Sequence, residues 1–232
     1  MVVTEGRLLD ILTRIRAAQT NGPGTASLCR VSADVVAVSG AGIMLMSDDA
    51  ARGSLCSSNA VSRLLEDLQY MLGEGPCVDA YAKDRPVLEP DLLDAGAPRW
   101  PVFTPSAVEA GARAVFGFPL RVGAARLGAL NLYRDGPGPL SDGQHRDALV
   151  IADVVARSIL SMQADAPAGG LGAEMDDGPD LRLVVHQATG MVSAQLDVTI
   201  AEAMARLRAH AFASGRPLAD IAVDIVARAL RF

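Results

Sequence analysis

The spacing of apolar residues divides the chain into a mixed N-terminal part and an all-helical tail. Residues 5–19 place Leu8, Ile11, Leu12 and Ile15 on one helical face. The turn-forming run Asn21 to Thr25 ends that segment, and a second helix is expected over Ala26–Val36. Gly42–Met46 and Gly53–Ser57 read as a strand pair, with SDDAARG supplying the turn. Ser58–Leu72 carries Leu64, Leu65, Leu68 and Met71 and reads as a helix. The loop GEGPC then leads into a short helix and the strand PVLEP, and Trp100–Gly111 reads as helical. Two strands, Ala114–Leu120 and Arg126–Tyr133, flank the turn RVGAA. A long helix follows Ser141, a good N-cap, with Ala148, Ile151, Ala152, Val155, Ile159 and Leu160 along its apolar stripe. The pattern predicts an α+β class, with a central antiparallel sheet and flanking helices over residues 1–162.

Residues 163–179, QADAPAGGLGAEMDDGP, have the composition of a flexible linker. Residues 180–232 then read as three short helices. Thr199 and Glu202 form a T-x-x-E capping box that starts the second at Ile200, and Gly215 with Pro217 separates it from the third. In the first, Leu181, Val184, Val185, Ala188 and Val192 form the apolar stripe. Arg182, His186, Thr189 and Ser193 follow offsets of four, three and four, which places them on one polar face, with Gln187 beside it. Gly190 costs about 1 kcal/mol relative to alanine inside a helix, and close approach by another helix or by nucleic acid would compensate. The second helix turns Ala203, Leu207 and Ala211 inward and puts Arg206 and His210 on another face, with Arg208 nearer the edge. The third buries Leu218, Ile221, Ala222, Ile225 and Ala229 and leaves Asp220, Asp224 and Arg228 outside. Phe212 and Phe232 read as packing residues.

Charge changes the picture only in the tail. The 232 residues carry a net charge of −6, which argues against a chain-wide nucleic-acid binder. Residues 181–232, however, hold six arginines (182, 206, 208, 216, 228 and 231) against four carboxylates (197, 202, 220 and 224), a net of +2. No apolar run approaches the roughly 20 residues needed to cross a bilayer, and the N-terminal stretch lacks a signal-peptide apolar core. Cys29, Cys56 and Cys77 have no CxxC spacing and leave one thiol over, which fits reduced thiols in the cytoplasm rather than a disulfide framework. No phosphate-binding loop, nucleophile elbow or zinc motif is present, so the sequence does not read as an enzyme, and no metal or cofactor is expected.

The tail resembles the ANTAR domain, an RNA-binding antiterminator module of bacterial signalling proteins. The resemblance rests on VVHQATGMV (Val184–Val192), IAEAMARLRAHA (Ile200–Ala211) and PLADIAVDIV (Pro217–Val226). Many members carry lysine before the first-helix glycine, where this chain has Thr189. Upstream, LGEGPCVDAYAKDRPVLEPDL (Leu72–Leu92) and GFPLRVGAARLGALNLYRDGPGPLSD (Gly117–Asp142) resemble a GAF domain. The GAF resemblance implies a small-molecule ligand between the sheet and covering segments near Gly73–Asp79 and Val102–Ala110. Cys77 reads as a buried structural thiol, and His145, His186 and His210, the only histidines, lie outside that region, against haem ligation.

The ANTAR resemblance implies binding of paired stem-loops in nascent mRNA, which prevents a downstream terminator hairpin. Arg182, Arg206, Arg208 and Arg216 are the candidate phosphate contacts, with His186, Gln187 and Thr189 as candidate base readers beside Gly190. A homodimer suits two loops, and the apolar stripes of Glu5–Ala18 and Asp142–Met162 could supply its interface or be satisfied within one chain. Two other readings stay open: a DNA-binding regulator, and a ligand-binding or interaction module whose tail has no RNA activity. Asp220 and Asp224 on the third helix weigh against the DNA reading.

Overall fold

The computed structural model describes residues 5–20, 25–47, 50–94, 99–165 and 181–232. They fall into two compact units, Met1–Asp176 and Asp177–Phe232. Most of the expected linker, residues 166–179, lies outside the described residues, and residues 163–165 belong to the helix before it.

The first unit runs α1 (Glu5–Thr20), α2 (Ala26–Val36), β1 (Gly40–Ser47), β2 (Ala50–Ser57), α3 (Ala60–Leu72), α4 (Pro76–Lys83), β3 (Val87–Glu89), α5 (Phe103–Glu109), β4 (Ala114–Val122), β5 (Ala125–Arg134) and α6 (Asp142–Asp165). The strands form one antiparallel sheet in the order β2-β1-β5-β4-β3. Strand alternation sorts the sheet into two faces. Ala41, Ile43 and Leu45 of β1, Phe116, Phe118 and Leu120 of β4, and Leu130 and Leu132 of β5 join one apolar core with α1, α2 and α6. The α1 and α6 stripes contribute to it: Ile11, Ile15, Ile151, Val155 and Ile159 are buried, Leu12 and Leu160 half-buried, and Arg7 Nη2 donates to Asp147 at 2.7 Å. These buried side chains are therefore not on offer to a second copy.

Caps set the helix limits. Asn59 and Ser62 form a reciprocal capping box before α3, and Gly73 ends it in the left-handed region at φ 69°. Ser141 and Gln144 exchange hydrogen bonds of 3.0 and 3.3 Å before α6, as the sequence predicts. The helix expected over Trp100–Gly111 is shorter. Trp100 lies before it, buried and packed edge-on to Phe103 at 5.8 Å.

The cysteine reading is corrected. Cys29 on α2 and Cys56 on β2 are joined in a disulfide with Cα atoms 6.0 Å apart, and only Cys77 is free. A separation of 27 residues hides this pairing in the sequence; the fold creates it by laying α2 on the hairpin. Closing a loop of 27 residues stabilises the fold by about 3.5 kcal/mol in the chain-entropy account. We expect unfolded, unreduced protein to present one thiol to a colorimetric thiol reagent and reduced protein three. Three thiols before reduction would contradict the pairing.

The second unit consists of α7 (Leu181–Leu196), α8 (Ile200–Ser214) and α9 (Leu218–Val226). Thr199 caps α8 in the predicted box, and Gly215 ends it at φ 63°. Val185, Ala188 and Val192 of α7, Ala203, Leu207 and Ala211 of α8, and Leu218, Ile221, Ala222 and Ile225 of α9 build the core. Ala229, expected inside, lies beyond the end of α9 and is exposed. Phe212, expected to pack, is 75% exposed.

Candidate nucleic-acid interface and sensor core

On the second unit the structure rearranges the predicted polar face. Thr189 is 1% exposed and donates its hydroxyl to the Val185 carbonyl at 2.7 Å, so it is a core residue and no base reader. A threonine hydroxyl bonded to its own helix four residues back carries no unmet polar group into the interior, which is why a polar residue fits there. Ser193 is half-buried and donates to the Val198 carbonyl at 2.6 Å. His186 and Gln187 are exposed. The side chain of Arg182 lies outside the described residues.

Gly190 departs from expectation in an informative way. A Cβ built there would meet no atom of another element within 4 Å among the described residues, so no helix crossing among them explains it. It lies on the side of α7 away from Val185, Ala188 and Val192, in line with exposed Leu183 and Ala194 at offsets of seven and four. That outward strip is nearly without side chain over a turn of helix, which allows a partner close to the backbone.

Among the candidate cations, Arg206 is exposed and Arg208 half-buried, both on α8. Arg216 is held by Asp224 at 2.7 Å, which weakens its case as a phosphate contact. The Glu202 carboxyl is held below the ordinary carboxylate range, first by the Thr199 backbone N–H and then by its hydroxyl, with a smaller contribution from Arg206. A depressed folded-state pKa adds stability above the unfolded value of about 4.3 and loses it as pH falls through the folded value. We therefore expect the unit's unfolding temperature to fall below about pH 4.3, and a Glu202→Gln variant to flatten that limb. An unchanged acid limb in the variant would remove Glu202 as its source.

An opening unforeseen in the sequence lies between the C-terminal half of α7 and the residues after α9. It has a volume of about 460 Å³ and is lined by Met191, Ala194, Gln195, Arg228, Arg231 and Phe232. The helix stripe of α7 predicts the side on which Met191, Ala194 and Gln195 lie. It does not predict the chain reversal after α9 that brings Arg228 and Arg231 against them.

In the first unit, the other face of the sheet is polar at its centre. Gly42 of β1, Asn131 of β5 and Gly117 of β4 lie side by side in register. Glu66 of α3 sits on Gly42, and the Pro76 carbonyl of α4 sits on Gly117. Asn131 points between them, fully buried, and neither its Oδ1 nor its Nδ2 has a hydrogen-bond partner among the described residues. Gln69 accepts from the Cys77 backbone N–H at 2.7 Å, while its Nε2 has no partner among them. Such orphaned buried groups are costly and mark a place where a polar partner belongs. Cys77 is buried, and burial, then the Glu66 carboxylate, push its thiol well above the ordinary range, which makes it a structural thiol and not a nucleophile.

The two segments expected to cover this face are tied together. Glu74 Oε1 accepts from the backbone N–H of Val102 and of Phe103, each at 2.7 Å, and Asp79 pairs with Lys83 and Arg99. Replacing Asn131 by leucine, of the same branching, should raise the unit's stability by about 1–2 kcal/mol by removing two unsatisfied buried groups. Thermal unfolding without added ligand tests this; a loss of stability would show that Asn131 is satisfied in solution.

Comparison with known proteins follows this division. Residues 26–159 match the model of the GAF domain family, and residues 178–226 match that of the ANTAR domain. No curated protein matches the chain. The chain is similar in structure to the GAF domain of a phosphoenolpyruvate-protein phosphotransferase from Coxiella burnetii, at 16% identity and a TM-score of 0.51, covering 69% of this chain and 96% of that one. The corresponding Acinetobacter domain gives 15% identity and a TM-score of 0.48, covering 69% and 98%. Among the described residues, no helix is long and apolar enough to cross a membrane, and no group of three or more histidine, cysteine or acidic residues could hold a metal ion.

Proposed function

Because the chain belongs to the GAF domain family and carries an ANTAR domain in its tail, we propose that it is a regulator of transcription termination that binds stem-loops in nascent mRNA. The observation that carries this reading is the surface of α7 and α8, where an outward glycine strip runs beside Gln187, and α8 adds Arg206 and Arg208. Cationic side chains answer phosphates, and a bare helix strip with a neighbouring amide answers unstacked bases of a loop. The mechanism is occupancy: RNA held in the stem-loop form cannot contribute strands to a terminator hairpin. It forms and breaks no covalent bond.

The sensor half supplies control. The unsatisfied buried amides of Asn131 and Gln69 support reading it as a sensor for a small polar molecule. The active form is a homodimer, since two tandem stem-loops ask for two tail units. The faces of α1 and α6 that keep Leu9 and Leu149 exposed, with Leu12, Val150 and Met162 partly buried, remain the proposed dimer contact.

Transcription in vitro from a template with two stem-loops ahead of a terminator tests the proposal. The protein should raise readthrough, and scrambling either loop should abolish the gain. Unchanged readthrough with intact loops would sink it. Preferential binding to duplex DNA would instead favour a DNA-binding regulator.

A further inference from the structure

We propose that the groove between α7 and the segment after α9 holds one unpaired nucleotide of the RNA loop, its phosphate between Arg228 and Arg231 and its base against Phe232 and Met191. The inference rests on the RNA-binding reading and adds a binding site outside the predicted surface. Arg228, Arg231 and Phe232 also lie beyond the residues that match the ANTAR model, which end at 226.

The groove has the chemistry of a nucleotide site. Its volume of about 460 Å³ falls within the range of roughly 300–1,000 Å³ typical of small-ligand sites. Two exposed guanidiniums stand on one wall, and neither is bonded to a carboxylate among the described residues, whereas Arg216 is. Phe232 offers an aromatic surface. Its ring packs at 5.2 Å against His210, and its backbone N–H donates to Gln195 Oε1 at 3.2 Å, so it is held in place from two helices. The Gln195 side-chain NH₂ remains to donate to a base edge. Gln187 lies on the same side of α7, four and eight residues before Met191 and Gln195, and extends the groove toward the Gly190 strip.

Arg228 is one of four described non-glycine residues with positive φ, with Ala37, Asp84 and Asp197. It occupies the left-handed region at φ 62°, where glycine is favoured, and the chain reverses there through bonds from Ala229 and Leu230 to the Asp224 carbonyl. Gly215 takes the same conformation at the end of α8.

The test titrates the full chain with a fluorescent RNA of two tandem stem-loops across a range of salt. Arg228→Ala with Arg231→Ala should weaken binding on the order of 100-fold, about tenfold for each charged group removed. The plot of log affinity against log salt should become shallower by about 0.7 for each phosphate no longer neutralised. Arg228→Gly, which suits the left-handed position, should keep or raise the unfolding temperature while weakening binding about tenfold. An abasic nucleotide in the loop should weaken the unaltered protein but not a Phe232→Ala variant. Unchanged affinity and salt slope in the arginine variants, with loop preference intact in the unaltered chain, would overturn the groove and leave the RNA reading standing. Affinity that falls only together with a lowered unfolding temperature in Arg228→Gly would mean a structural role and would overturn it too. No loop preference in the unaltered chain would overturn both.

Discussion

Leu207→Ala is expected to unfold the C-terminal unit and abolish RNA binding while leaving the first unit folded. Leu207 is fully buried at the centre of α8, in the small core that also buries Val185, Ala188 and Val192 of α7 and Ile221 and Ile225 of α9. Truncating a buried leucine costs about 2–5 kcal/mol through reduced burial and the cavity left behind. A unit of this size rarely holds more than about 3–5 kcal/mol in total, so the loss is comparable to all it has. Circular dichroism should show helix disappearing in proportion to the tail, with the melting transition of the first unit retained. A single unshifted transition and intact binding would contradict this picture of the core.

Gly117→Ala is expected to disrupt the first unit by a comparable amount, through a different cause. A Cβ at Gly117 would run into the Pro76 backbone carbonyl, which opens α4 and cannot swing aside as a side chain could. Overpacking of this kind costs about 1–3 kcal/mol and more where backbone must move. The displaced helix carries Cys77, bound through its N–H to Gln69, so the buried thiol should become reactive. Alkylation at mild alkaline pH should spare Cys77 in the unaltered protein and label it in the variant. Equal protection in both would show that α4 has room to shift without opening the polar face.

These two positions differ in how far the sequence reveals them. Periodicity alone places Leu207, and with it the whole three-helix tail, because helix stripes and caps are local signals. The strands of the first unit are legible for the same reason, since their alternation sets the apolar face. Gly117 gives no such signal: its significance comes from a partner in α4, brought over the sheet by the fold. The Cys29–Cys56 bond is another pairing that only tertiary structure creates. Thr189 and Gly190 fall at the limit of a helical-wheel argument. A threonine on the edge of an apolar stripe can go inside once its hydroxyl bonds back along its own helix, and a helical glycine can face open space as well as a neighbour. Phe212 reads as a packing residue because large apolar side chains usually pack, yet it lies on an alanine-rich outer face of α8. The arginine groove is illegible because a chain reversal at Arg228, a residue that rarely makes one, assembles it.

Whether the tail reads RNA loops is settled by binding of the full chain to a tandem stem-loop RNA, a loop-scrambled RNA and duplex DNA over a range of salt. Nonspecific phosphate attraction weakens steeply with salt, whereas contacts to loop bases persist. Tight binding to the intact loops should survive moderate salt, while binding to both controls disappears. Equal, salt-sensitive binding to all three would contradict loop recognition by this protein.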